Sequence, residues 1–284
     1  MQASRSLRMP ITGVMGEIRL MRLEHDRHCP TVPPAPDGLV LVGSPSAVTA
    51  ADVIRLGREE VRTGPWRGDR NVAYLAPSPN HPAPSAEFVR RCLDVLASRG
   101  FARVVTAALS PPEQAGFLAA GFEIEERLHL LAHSLEIIPE PRNAGAVIKR
   151  ARRRDRPTVL GVDRSAFPPF WRLDQHGLLE ALDATPWTRF RLATLDNVTV
   201  GYAICGRANE RGFVQRLAVE PSVQRRSIGW DLMVDGLRWL QRRGVTRAVV
   251  NTQLGNEPAL DLYERLGFRR QAVGLSVLAS GLPQ

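Results

Sequence analysis

Leu217-Ala218-Val219-Glu220-Pro221-Ser222-Val223-Gln224-Arg225-Arg226-Ser227-Ile228-Gly229 joins an apolar run that stops at a proline to an amphipathic run that starts a few residues later. The first run, 212–219, has the character of a buried strand ended by Glu220-Pro221. The second, 226–243, predicts a helix. Ile228, Leu232, Met233, Leu237 and Leu240 share one broad arc, Asp231, Asp235, Arg238, Gln241 and Arg242 the opposite one, and Gly244 supplies the C-terminal stop. A strand, a short loop and a helix N-terminus make an anion site. The first-turn N–H groups have no intrahelical acceptor, and the helix dipole favours negative charge there. Arg225 and Arg226 add cationic donors. The combination points to a phosphate or diphosphate, although a plain strand–loop–helix connection with so little glycine carries the same pattern.

Downstream, the pattern predicts a strand at Arg247–Gln253, a helix at Glu257–Arg265, a stop at Gly267 and a last strand over 268–278. Upstream, strands at 189–195 and 198–207 flank a tight Asp196-Asn197 turn, with helices at 158–167 and 175–182 and a strand at 146–152 before them. Residues 139–143 (PEPRN) read as a linker. In the N-terminal half, short strands fall at 39–42 and 72–75. Residues 49–52 resemble a capping box opening a helix that turns Val53, Ile54 and Val61 inward. A helix starts at Ser85 with Phe88, Val89, Cys92, Leu93 and Leu96 on one face. A strand at 103–109, a helix at 113–120 and a strand at 125–135 follow. The proline-rich segments 30–36 and 77–84 read as loops.

The two halves echo each other. Arg99-Gly100-Phe101-Ala102-Arg103 parallels Arg243-Gly244-Val245-Thr246-Arg247, and Gly121-Phe122 parallels Gly267-Phe268. Each segment reads helix, RG turn, strand, short helix, GF, strand, the form of a two-fold repeat. The expected organisation is a leader over 1–20, an N-terminal domain over 21–138, a linker over 139–145 and a second domain over 146–280.

Composition narrows the function. The 284 residues are 44% hydrophobic and 24% charged, with no run of about 20 apolar residues that would span a bilayer. The N-terminus lacks the apolar stretch of a secretory signal. Cys29, Cys92 and Cys205 are scattered and odd in number, which argues against a disulfide framework and fits a reducing cytoplasm. The fragment His25-Asp26-Arg27-His28-Cys29 has too few ligands for a structural zinc, so no metal is expected. The net charge of +9 comes almost wholly from arginine, Lys149 being the single lysine. The basic run 149–156 lacks the interleaved aromatics that stack nucleobases. It fits a solvated strand-to-helix entry at least as well as a nucleic-acid patch.

Gln224-Arg225-Arg226-Ser227-Ile228-Gly229 resembles the (Gln/Arg)-x-x-Gly-x-(Gly/Ala) signature of the GNAT superfamily of N-acetyltransferases. The resemblance extends to Ala218-Val219-x-Pro221 before it and to Asn251-Thr252-Gln253, Asn256, Ala259 and Leu262-Tyr263-Glu264-Arg265-Leu266-Gly267-Phe268 after it. It covers about 146–278, with nearly all its weight in 212–268. It implies an α/β fold with a mixed, mostly antiparallel sheet, here as a tandem GNAT-like repeat. It also implies acetyl-CoA as co-substrate and a primary amine, on a protein N-terminus or a small molecule, as acceptor. The backbone of Leu217, Ala218 and Val219 is then expected to pair with the pantetheine arm and to polarise the thioester carbonyl. Gln224, Arg225, Arg226, Ser227, Ile228, Gly229 and Trp230 are expected to cradle the pyrophosphate, and Asn256 to bond the cofactor arm. Tyr263 is expected to serve as general acid toward the departing thiolate.

Two departures stand out. Ser227 occupies a position where the family prefers glycine, and Asn251 one where some relatives carry a glutamate base. The amine proton would then leave through water to Glu220 or Asp196, or the amine would arrive neutral. In the first half Phe117 aligns with Tyr263 and Ser110 with Asn256, and no pyrophosphate signature precedes the Ser85 helix, so that half resembles a degenerate copy. Acceptor choice is expected to lie in 167–187, where Phe167, Phe170 and Trp171 are either pocket or core, and in the N-terminal half. The rivals are a non-catalytic coenzyme A-binding module and a basic nucleic-acid binder.

Overall fold

The computed structural model describes residues 40–42, 52–78 and 81–282. Their strands form one continuous sheet. The first half supplies β1 (Val40–Val42), β2 (Asp52–Leu56), β3 (Glu59–Trp66), β4 (Asp69–Pro77), helix α1 (Ala86–Ser98), β5 (Arg103–Thr106), α2 (Pro111–Ala119) and β6 (Glu123–His133). The second supplies β7 (Val147–Arg150), α3 (Arg156–Ala166), α4 (Gln175–Asp183), β8 (Trp187–Leu195), β9 (Val198–Ala208), β10 (Arg211–Val219), α5 (Ile228–Arg242), β11 (Arg247–Gln253), α6 (Glu257–Arg265), β12 (Arg269–Arg270) and β13 (Leu275–Gly281).

The halves repeat one topology. β2, β3 and β4 form an antiparallel meander joined in parallel to β5, and β8, β9 and β10 form another joined in parallel to β11. The turns match to the hydrogen bond. Gly100 (φ +84°) and Gly244 (φ +71°) end α1 and α5 in the left-handed conformation open to glycine. Phe101 N–H then returns to Leu96 C=O, and Val245 N–H to Leu240 C=O. Gly121 (φ +93°) and Gly267 (φ +98°) end α2 and α6, with Phe122 N–H bonded to Phe117 C=O and Phe268 N–H to Tyr263 C=O. The fold is therefore a tandem one.

The halves also exchange strands. In the order β1-β2-β3-β4-β5-β13-β6-β11-β10-β9-β8-β7, the last strand of the second half lies beside β5, and the last strand of the first half lies beside β11. β6 and β13 pair antiparallel across the centre, Leu275 opposite Leu128 and Ala279 opposite Glu123. Residues 139–145, between β6 and β7, are held against α5. Asp231 accepts from the backbone N–H groups of Arg142 (2.6 Å) and Ala144 (2.8 Å), and Trp230 Nε1 donates to Glu140 C=O at 2.9 Å.

In the second half, α5 and α6 cover one face of the sheet, packing Met233, Leu237, Leu240, Leu260 and Tyr263 on Val214, Ala248 and Val250. α3 and α4 cover the other over Leu192, Tyr202 and Ile204. The side chains of Tyr202 and Ile204 thus face away from that of Cys205, as the two-residue period of β9 requires. The partner core of the first half packs α1 and α2 on Ile54, Val61, Ala73 and Leu75.

Two readings of local pattern are corrected. The helix expected from the 49–52 box is a hairpin, β2 paired with β3 at Ile54–Val61; of the box itself, 49–51 lie outside the described residues. Val53, Ile54 and Val61 are β-branched and split by Gly57, which adopts φ +59° in the turn, so strand pairing across the turn overrides the capping signal. The last strand is interrupted: β12 pairs with the outer part of β6, then the chain crosses at 271–274 before β13 resumes. The proposed leader 1–20, the loop 30–36, and His25, His28 and Cys29 also lie outside the described residues.

Because β6 is a neighbour of both β11 and β13, segment 146–284 expressed alone is expected to show no cooperative thermal transition by circular dichroism, and co-expression with 1–145 to restore one. A fragment that melts cooperatively as a monomer would contradict the exchange.

Candidate active site

β10 and β11 run in register for only three pairs, Arg211–Arg247 to Phe213–Val249. A bulge between Val214 and Arg216 then bends β10, as bulges do. From there to Val219, β10 pairs with β9 alone, so alternate backbone groups face the gap toward β11. A cleft of about 920 Å³ opens there. Its walls are β10, the loop into α5, α6 and β11, and it extends over Leu128 and Val277 to Thr106–Ala108 and the β3–β4 turn of the first half.

Leu217, Ala218, Val219, Gln224, Arg225, Ser227, Ile228, Gly229, Trp230, Asn256 and Tyr263 all line this cleft. Arg226 does not; it is exposed on the loop. The loop is shaped by two left-handed residues, Arg225 (φ +62°) and Ser227 (φ +62°). This gives a conformational reason for the family's glycine at the second position, since a Cβ costs about 1–2 kcal/mol in that region. Gly229 has no such need: a Cβ there would sit 3.4 Å from Leu262 Cδ2, an ordinary contact. Gln224 Nε2 donates to Val219 C=O at 3.0 Å and ties the loop to the strand end. The Trp230 ring is turned to the linker, under the Arg142 guanidinium 3.8 Å from its centroid.

On α6, Asn256 is the N-cap, with Oδ1 accepting from Ala259 N–H at 3.4 Å. Tyr263 is buried at the cleft wall beside Phe268, ring centroids 5.7 Å apart. Burial pushes its pKa above that of a free phenol, with Cys205 adding to the shift, so it stays protonated at neutral pH. Asn251 also lines the cleft. Glu220 and Asp196, the relay carboxylates considered above, do not: Glu220 accepts from Ser165 Oγ at 2.6 Å, and Asp196 sits in the β8–β9 turn at φ +48°.

Sequence patterns missed a polar cluster around Arg216, which also lines the cleft. Arg216, on the bulged part of β10, forms a two-point pair with Asp163 of α3 (2.8 and 2.9 Å) and lies 3.5 Å from the Phe167 ring centroid. Tyr202 Oη donates to the same carboxylate, and Leu173 N–H bonds it at 2.6 Å. Removing one partner of such a buried pair costs about 3–5 kcal/mol. The available signal was Gln215-Arg216 inside an otherwise apolar strand.

Next to this cluster, Arg67 of the β3–β4 turn donates through Nη1 to the carbonyls of Trp171 and Arg172 (3.0 Å to the latter). Burial and the nearby Arg216 push its pKa down to about 9, which leaves it cationic at neutral pH. Phe167 and Trp171 line the cleft, whereas Phe170 packs on Trp66 at 5.4 Å. The 149–156 run divides between β7 and a turn in which Asp155 accepts from Arg152 N–H at 2.7 Å. Among the described residues, no three metal-ligating side chains come together and no helix is long and apolar enough to cross a membrane.

Residues 156–268 match the family model for the Acetyltransferase (GNAT) family. The GNAT match thus lies within the second half of the chain. A mycothiol acetyltransferase of Thermomonospora curvata is 33% identical over 129 residues, 42% of this chain and 42% of that one. N-alpha-acetyltransferase 30 of Schizosaccharomyces pombe is 32% identical over 90 residues, 30% of this chain and 60% of that one. The chain thus spans less than two thirds of the length of either curated relative. A solved tandem GNAT protein from the clavulanic acid biosynthesis pathway superposes with a TM-score of 0.59 at 12% identity, over 88% of this chain and 85% of that one. That match carries the GNAT fold across both halves.

Ser227→Gly is expected to raise stability by about 0.5–1 kcal/mol, the left-handed penalty less the extra chain entropy of glycine, read as a higher urea midpoint at unchanged slope. A lower midpoint would show that the loop does not hold Ser227 at positive φ.

Proposed function

We propose that the C-terminal half binds acetyl-CoA and transfers its acetyl group to a primary amine. The observation that supports this best is the unpaired edge of β10 leading directly into the loop before α5, with Tyr263 on the same cleft. The pantetheine arm adds to that edge as a strand would. The pyrophosphate meets the first-turn N–H groups of α5 and the side chain of Arg225. The Asn256 amide faces the arm.

The amine nitrogen attacks the thioester carbonyl carbon, whose oxygen takes negative charge against a backbone N–H of Leu217–Val219. The C–N bond forms and the C–S bond breaks. The thiolate takes a proton from Tyr263, and Tyr263 regains one from the water that received the proton lost by the amine. A phenol with a raised pKa is a weak proton donor but an effective hydrogen-bond donor to developing charge. Its first contribution is therefore to stabilise the leaving sulfur. No base is assigned, because Asn251 cannot accept the proton.

The first half, 21–138, serves as a degenerate copy joined through 139–145 to the catalytic unit 146–280. Phe117, in the place of Tyr263, has no accessible surface. A Cβ on Gly116 would lie 1.8 Å from Pro84 C=O, so α2 sits against the segment leading into α1, where a cofactor would enter. The acceptor is a small molecule, as the name of the mycothiol acetyltransferase relatives suggests. Trp66, Arg67, Phe167 and Trp171 wall the part of the cleft that the first half borders. Two buried free thiols, Cys92 and Cys205, fit a reducing cytoplasm.

Tyr263→Phe is expected to lower kcat by about 10²- to 10⁴-fold, the usual range for a lost general acid, with acetyl-CoA affinity nearly unchanged. Unaltered turnover would remove its role in leaving-group departure. Acetyl-CoA binding without turnover of any amine in a broad panel would favour a non-catalytic module instead.

A further inference from the structure

We propose that Arg67, carried by the first half into the cleft of the second, binds an anionic group on the acceptor, so that the preferred substrates are amines that also carry a carboxylate or phosphate. This rests on the transfer reaction proposed above.

The seating of Arg67 and its idle donor carry the inference. Trp171 C=O accepts both Arg67 Nη1 and Arg216 Nη2, so the two guanidiniums lie side by side. The charge of Arg216 is matched by Asp163, whose two oxygens also serve Tyr202 and Leu173 N–H. The other nearby carboxylate, Asp174, uses Oδ1 to cap α4 through Gly177 N–H at 2.7 Å. Among the described residues Arg67 has no carboxylate within ion-pair distance, and its Nε is buried without an acceptor. A part-buried guanidinium whose Nε is buried and idle is costly, and that cost is relieved by an anion entering the cleft.

The fork is already positioned. The guanidinium carbon lies 4.7 Å from the Trp66 ring centroid and 5.7 Å from that of Trp171, and backbone carbonyls fix Nη1. A preset planar fork suits a carboxylate or phosphate better than a lysine would. The position also gives the degenerate half a task. It supplies no cofactor cradle, but its β3–β4 turn places on the cleft wall a part-buried guanidinium with no described carboxylate within ion-pair distance.

The test uses the full chain with acetyl-CoA and two matched acceptor pairs, 4-(aminomethyl)benzoate against 4-(aminomethyl)benzamide, and 2-aminoethyl phosphate against ethanolamine. The wild type is expected to favour the anionic member of at least one pair by about ten- to hundredfold in kcat/KM, the worth of a charged two-point hydrogen bond. Arg67→Gln should bring that ratio to within about twofold, through KM and with acetyl-CoA affinity by calorimetry unchanged. Arg67→Lys, which keeps the charge without the fork, should retain part of the preference. Equal handling of both members of each pair by the wild type, or a preference that survives Arg67→Gln, would overturn the proposal.

Tryptophan fluorescence gives a readout independent of turnover, since Trp66 and Trp171 flank the guanidinium. Saturable quenching by 4-(aminomethyl)benzoate but not by its amide, lost in Arg67→Gln, would support the site even where no amine is acetylated. Absence of any such selectivity would sink it. Failure to bind acetyl-CoA would count against the transfer reaction alone, because the fluorescence titration is made on the free protein as well.

Discussion

The antiparallel pairing of β6 with β13 is the interaction on which the rest depends. Each strand belongs by sequence to one half and lies by position next to the other half's parallel strand. The two α/β units are therefore one sheet, and their separate cores meet along a shared backbone ladder. A covalent linker alone would leave their relative placement free. Here the ladder fixes it, and the 139–145 segment, tied to Asp231 and Trp230, reinforces it.

That placement makes the cleft a joint product. The second half contributes the splayed edge of β10, the turn into α5, and Tyr263. The shared strands contribute the floor at Leu128 and Val277, and the first half closes the wall with Trp66 and Arg67. The same architecture is used in two ways. In the second half a short parallel ladder and a bulge hold the strands apart. In the first, the β4–β5 ladder continues to Leu75–Thr106, and Gly116 lets α2 settle on Pro84.

Much of the fold was legible because it is written in local periodicity. α5, β11, α6, and the glycine turns at 100, 121, 244 and 267 depend on burial period and positive φ, which a single sequence displays. The β2–β3 hairpin was missed because Gly57 and β-branched neighbours had to be weighed against a capping pattern. The strand exchange was not legible, since it is a choice of partner between strands of equal quality. At the site, the motif residues of 217–230 and Tyr263 were named from resemblance and line one cleft, Arg226 excepted. Arg67 and Arg216 were not found: one looks like a solvated turn residue, and the other needs Asp163, 53 residues away, to make sense of its burial.

The central claim is a single acetyl-CoA site per chain, formed by the splay of β10 and the turn into α5. Titration calorimetry of the full chain with acetyl-CoA tests it most directly, with Gly229→Ala and Gly229→Asp alongside. The space at Gly229 admits a methyl group, so the alanine variant should bind as the wild type does. The aspartate variant should fail, its charge opposing the pyrophosphate. One site per chain with that pattern is the expected result. Two sites per chain, or undiminished affinity in Gly229→Asp, would contradict the account.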